Sequence, residues 1–244
     1  MATNPMHQFS VHRIGPEIKI AGIDLSFTNA SLFMIISAFT IFIFLSLGTK
    51  EKKLIPGKLQ LISEMLYNFI AKMISETAGS KAKPYFPFIF SLFTFVLFCN
   101  MVGMLPYSFT VTSHIIVTLV LAVFIFVAVT VIGFIKHGLG YLKLFVPSGV
   151  PKLLLPLITV IEIISYLSRP VSLSVRLFAN MMAGHTMLKV FGGFVISLGL
   201  LGGWLPLGFS VALTGLEILV AFLQAYVFAI LTCIYLNDAL NLHH

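Results

Sequence analysis

The sequence predicts an all-α integral membrane protein with five membrane-crossing helices and one interfacial amphipathic helix, the last two long helices forming an antiparallel polar hairpin. Three observations carry that prediction. Of 244 residues, 59% are hydrophobic and only 9% charged, with a mean hydropathy of +1.05, whereas a soluble domain carries about 25% charge. Apolar runs long enough to span a bilayer alternate with short loops that hold most of the lysines. A few ionisable side chains sit inside the last two runs, where each is costly and therefore points to function. The formal charge of +7 is spread over loops instead of one patch, so it speaks for membrane topology and against a nucleic-acid partner.

Residues 1–244 read as a single membrane domain. Residues 1–26 form a mixed polar tail on the outer side, whose His7 and His12 lack metal-ligand spacing and are expected to be solvated. The first apolar run begins late and lacks a basic leader with a cleavage pattern, so no cleavable signal peptide is expected. The run from Ala30 to Leu47 has no charge and ends in Thr49-Lys50-Glu51-Lys52-Lys53, a strong stop. Pro56 and Gly57 then open an amphipathic helix over 56–77. Gln60, Glu64, Asn68, Lys72 and Glu76 recur every four residues, opposite Leu59, Ile62, Leu66, Phe69, Ile70 and Met73. Such a helix suits the membrane interface or a partner helix.

From Pro84 to Ile135 there is no Asp, Glu, Lys or Arg, which allows two spans joined near 100–114, where Gly103 and Pro106 break the helix. Asn100 is expected to bond exposed backbone at that helix end, and His114 to be an interfacial residue. Lys136, Lys143 and Lys152, with Pro147, Pro151 and Pro156, mark the next loop. Cys99 and Cys233 lie in apolar segments and read as ordinary buried residues, not a disulfide. If the spans alternate, the basic loops all fall on one side while the turns near 103–113 and 197–208 carry no lysine or arginine. That places the N-terminus outside and the C-terminus inside.

The chain is organised around Glu162 to His185 and its continuation to Asp238, a hairpin over 153–238. At about 100° per residue, Glu162, Ser165, Arg169, Ser172, Arg176, Asn180 and Ala183 share one helical face, whereas His185 and Lys189 point to the opposite side. Pro170 is expected to interrupt the helix, which leaves the phase across it open. On the last run Glu217 and Gln224 share a face. The glycines and Pro206 of 197–208 read as a turn centred near residue 201. In an antiparallel hairpin about that turn, Arg176 lies level with Gln224, His185 with Glu217 and Glu162 with Asp238. Three polar levels at three depths look like a charge path. Arg169 and Lys189 read as helix-end or headgroup contacts, and His243 and His244 as solvated.

There is no Walker loop, dinucleotide fingerprint, Cys-x-x-Cys or His-Glu-x-x-His helix, so neither nucleotide hydrolysis nor a cofactor or metal is expected. What remains is proton or ion handling by Glu162, His185 and Glu217 around a fixed positive charge, Arg176. Histidine titrates near neutral pH, and burial brings carboxylates toward that range. Arginine keeps its proton and can act only as an electrostatic gate.

The segment RPVSLSVRLFANMMAGH, followed about forty residues later by AFLQAYVFAILTCIYL, strongly resembles the subunit a family of F-type ATP synthases. The resemblance covers nearly the whole chain, including NPMHQF and the Asn-Met-Val-Gly-Met-Leu-Pro turn. It implies a non-catalytic stator subunit that passes protons to and from a rotating ring of c subunits, with the b-subunit peripheral stalk and other synthase subunits as further partners beside the lipid bilayer. Arg176 would face the ring carboxylate, with Asn180 and Gln224 along the same path. His185 and Glu217 would form the outer aqueous half-channel, and Glu162 with Ser172 the inner exit. In many bacterial relatives the His and Glu positions are exchanged; this chain has the arrangement also familiar from mitochondrial forms. A bacterial inner membrane is the expected location, with the mitochondrial inner membrane as the alternative. The competing class is a self-contained secondary transporter or ion channel, which would normally show inverted repeats or paired broken helices. A purely structural membrane subunit leaves the matched polar levels unexplained.

Overall fold

The computed structural model describes residues 9–17, 19–20, 23–24, 26–50, 56–105, 108–146 and 154–241. His7, residues 51–53 of the expected stop, Pro106, the Pro147–Pro151 region with Lys152, and the terminal histidines lie outside the described residues. The architecture is helical. The only strands among the described residues are β1 (Lys19–Ile20) and β2 (Ile23–Asp24), a two-residue antiparallel ladder in the N-terminal tail.

Six α-helices follow among the described residues: α1 (Asn29–Thr49), α2 (Lys58–Thr77), α3 (Phe86–Gly103), α4 (Ile115–His137), α5 (Leu155–Gly202) and α6 (Trp204–Leu240). All but α2 lie in segments long and apolar enough to cross a membrane. α1 starts where the Thr28 hydroxyl accepts from the Ser31 amide, satisfying one of the four amides left open at a helix start. Inside the spans nearly every hydroxyl turns back onto its own helix. Ser37, Thr94 and Thr232, for example, donate to the carbonyls of Phe33, Phe90 and Phe228, so these hydroxyls do not face an apolar surrounding unpaired.

α2 has the expected two faces, but only its second half is enclosed: Ile70, Met73 and Ile74 are buried, while Leu59 and Ile62 remain exposed. Its polar stripe is held by Gln60 donating to Glu64 at 2.8 Å and by a Lys72–Glu76 contact at 3.8 Å, exposed pairs worth a fraction of a kcal/mol each, about 0.3–0.5.

The core lies where α6 packs against α3, α4 and α5. Ile89, Phe93 and Val96 of α3, Ile125 of α4, Leu173, Leu177 and Met181 of α5, and Ala225, Phe228 and Leu236 of α6 are all nearly solvent-free. The alanines on α6 let the helices approach closely, as small residues do between membrane helices. Cys99 and Cys233 are free and buried in this core, as expected.

Two details differ from the sequence expectation. Pro170 lies inside α5 without ending it, since the non-helical backbone within the α5 range falls at Gly199. Asn100 does not bond its own helix end; its side-chain amide donates to the Ala221 carbonyl of α6 at 3.2 Å, fully buried. It therefore fastens α3 to α6. His114 stacks on Phe109 with ring centroids 4.9 Å apart and caps α4 by position.

α5 has 48 residues and α6 has 37, about 70 and 55 Å at roughly 1.5 Å per residue. A bilayer core is about 30 Å thick. Helices this long exceed that thickness, so successive turns offer polar groups at many heights along the hairpin.

Candidate functional site

The site is the α5–α6 hairpin, and its geometry begins at the turn. Gly199 takes φ 61°, ψ −157°, a conformation open to glycine and poorly to other residues. The Gly203 amide then donates to the Gly199 carbonyl at 2.9 Å, reversing the chain so that α6 runs back along α5. The turn expected near residue 201 is therefore present, driven by the glycines at 199, 202 and 203.

Nearest the turn, His185 of α5 meets Glu217 of α6. The His185 Nδ1 lies 2.6 Å from Glu217 Oε1, and both side chains are largely enclosed, 11% and 6% exposed. The contact is an ion-pair approach and not an aligned hydrogen bond: Glu217 Oε1 and His185 Nε2 are each buried without a hydrogen-bond partner. Gly184 makes room for the carboxylate. A Cβ built there would stand 2.8 Å from Glu217 Oε1, so the Ala-Gly-His order is a steric requirement of the pair. Sequence reasoning passed over Gly184; a glycine beside the histidine inside a long helix was the available signal.

Farther along, Asn180 Nδ2 donates to Gln224 Oε1 at 2.9 Å. Gln224 is 3% exposed, and its Nε2 is buried with no partner in the chain. Arg176 was expected level with Gln224, but that place is taken by Asn180, one turn nearer the bend. Arg176 itself is exposed, with no ion pair to any acidic side chain among the described residues. Its neighbours Ser172, Val175 and Ala179 are exposed as well. α5 thus presents an open strip with one uncompensated arginine.

At the far end the expected Glu162–Asp238 level is corrected. Asp238 Oδ2 accepts from Arg169 NH1 at 3.1 Å. Glu162 is half-buried with no hydrogen bond or ion pair among the described residues. Arg169, expected as a helix-end or headgroup contact, pairs with an acid in the last turn of α6. Its guanidinium lies 5.4 Å from the Tyr166 ring centroid and 4.9 Å from that of Tyr235, distances at which an aromatic face attracts a cation. Tyr166 is anchored in turn, its hydroxyl 2.6 Å from Thr130 Oγ1 and 3.0 Å from the Tyr141 hydroxyl. Asp238 therefore meets the long side chain of Arg169 and not Glu162, the residue expected at its level. Among the described residues no cluster of His, Cys, Asp and Glu suited to a metal ion occurs.

Chemically, the hairpin offers an enclosed base and acid in contact, a buried Gln224 amide bonded to the exposed Asn180 beside them, and a bare cation on the outer surface of α5. That set can pass and steer protons, but it holds no nucleophile with an activating base.

Residues 31–237 match the family described as ATP synthase A chain. The chain is 80% identical over 244 residues to ATP synthase subunit a of Pelagibacter ubique (strain HTCC1062), covering all of both chains. It is 59% identical over 250 residues, again all of both, to ATP synthase subunit a of Chelativorans sp. (strain BNC1). To the protein of that name from Rhizobium rhizogenes (strain K84 / ATCC BAA-868) it is 61% identical over 247 residues, 99% of this chain and 98% of the relative.

Proposed function

This chain belongs to the ATP synthase subunit a family, a bacterial membrane-sector subunit, and on that premise we propose that it is the stator past which a ring of c subunits turns. The observation that carries the reading is Arg176, exposed on α5 without an acidic partner among the described residues. An uncompensated arginine in an apolar span is expensive. A carboxylate supplied by another subunit relieves that cost.

Protons reach the ring from the outer side through His185 and Glu217, whose close approach brings a base and an acid within reach of one another. Protonation neutralises the ring carboxylate, which can then travel through lipid because the bare charge is gone. After nearly a full turn the carboxyl meets the inner path and gives up its proton toward Glu162 and Ser172. Arg176 stabilises the carboxylate in its ionised form and blocks direct flow between the two paths. Asn180 and Gln224 hold the hairpin polar beside it, through their hydrogen bond. The membrane potential supplies about 2.3 kcal/mol per charge per 100 mV. The chain itself is non-catalytic, and ATP chemistry belongs to other subunits of the complex. The peripheral stalk's b subunit is a further partner. α2 lies along the inner interface, the basic loops face the cytoplasm, and the N-terminus is outside in the bacterial inner membrane.

The test is Arg176→Ala in the whole complex in vesicles. ATP-driven proton uptake should disappear while passive proton flow under an imposed potential survives or rises. Persistent pumping, or ion movement by this chain without a ring, would replace the stator reading with a transporter or channel.

A further inference from the structure

α5 carries two arginines on nearly the same line. Arg169 and Arg176 are seven residues apart, about 10 Å along the helix and only some 20° apart around it. A ring carboxylate drawn to one could be drawn to the other. Their surroundings differ completely. Arg176 is exposed and unpaired among the described residues, whereas Arg169 is 22% exposed, bonded to Asp238, and held between the rings of Tyr166 and Tyr235.

We infer that Asp238 is a positioning residue for the proton cycle: it neutralises and retracts Arg169, so that Arg176 is the single cation the ring carboxylate meets. The physical argument concerns competition. In a low-dielectric setting a free guanidinium attracts a carboxylate strongly over several ångströms. A second free arginine would therefore hold the ionised ring carboxylate past the release point and delay its next step. The Asp238 carboxylate cancels that charge, and the two rings fix the guanidinium against α6. Tyr166 cannot swing away easily, since its hydroxyl is engaged by Thr130 and Tyr141. Glu162, the other acid on the α5 line, makes no ion pair with Arg169, so the compensation falls to Asp238.

The inference rests on the stator reading. The experiment uses the complete ATP synthase in inverted membrane vesicles, with ATP-driven proton uptake and the dwell time of single ring steps as readouts. Asp238→Asn should slow pumping at least fivefold and lengthen the dwells, because Arg169 is freed. Asp238→Glu should stay within twofold of native, keeping the charge. The decisive variant is Arg169→Gln with Asp238→Asn, which removes both charges and should return pumping and dwells to within twofold of native. Normal pumping by Asp238→Asn, or a double variant as slow as the single one, overturns the inference; the latter makes Asp238 a proton carrier or a structural tie. Should Asp238→Asn fail to assemble, the double variant decides alone, and loss of pumping there overturns the inference. Arg176→Ala in the same vesicles separates the two levels. If it still pumps, the stator reading itself fails. If it stops pumping while the Asp238 variants behave otherwise than stated, only this inference falls.

Discussion

His185 and Glu217 face each other across the hairpin at 2.6 Å, enclosed by the two longest helices of the protein, with Gly184 leaving the space the carboxylate occupies. A buried pair of this kind is poor at adding stability, but it is costly to break from one side.

His185→Ala should therefore cost more than the lost contact. It leaves Glu217 buried at 5% exposure without its partner, a penalty of about 3–5 kcal/mol for an ion pair broken from one side. ATP-driven proton uptake should fall more than tenfold. The exchange His185→Glu with Glu217→His restores an acid and a base in contact and should recover most of the uptake, which a vesicle assay of the two variants would reveal.

Gly184→Ala should act on the same pair without touching its chemistry. The added methyl would stand 2.8 Å from Glu217 Oε1, and overfilling of this kind costs about 1–3 kcal/mol. Pumping should drop several-fold while assembly of the complex, followed by subunit content of purified membranes, stays near native. A normal pumping rate would show that the carboxylate has room to move.

For Asn180→Ala, the lost bond to Gln224 leaves both ends of a buried amide unpartnered. The expected cost is about 1–3 kcal/mol, seen as a lower thermal inactivation temperature together with a several-fold loss of proton uptake. Replacing Gln224 by Leu in the same background removes the stranded amide. It should recover thermal stability but not uptake.

Thr130→Val addresses the frame around the site. It deletes the hydroxyl 2.6 Å from the Tyr166 hydroxyl while keeping the shape of the side chain, so α4 and α5 should lose about 1 kcal/mol of attachment. Thermal inactivation of the complex should come several degrees earlier, and an unchanged profile would remove Thr130 from the tyrosine anchor.

Much of this protein was legible in the sequence, because the relevant signals are local. Hydropathy and length alone place the five long apolar segments, since a bilayer demands continuous apolar runs. The glycines near 199–203 mark the bend because only that backbone reverses within so few residues. Close to that bend, counting outward from the turn brings His185 to Glu217 correctly, for few residues intervene and little error accumulates. The tertiary structure alone decided what happens farther away. Gln224 meets Asn180 instead of Arg176, and Asp238 meets Arg169 instead of Glu162, so the mismatch grows from four residues to seven along the hairpin. Counting outward treats two helices as rulers laid side by side. Real helices twist and cross, and a long arginine reaches a neighbour that a shorter side chain at the same height cannot. Which arginine is neutralised and which stays bare is therefore set by helix crossing and side-chain reach, neither of which sequence spacing contains.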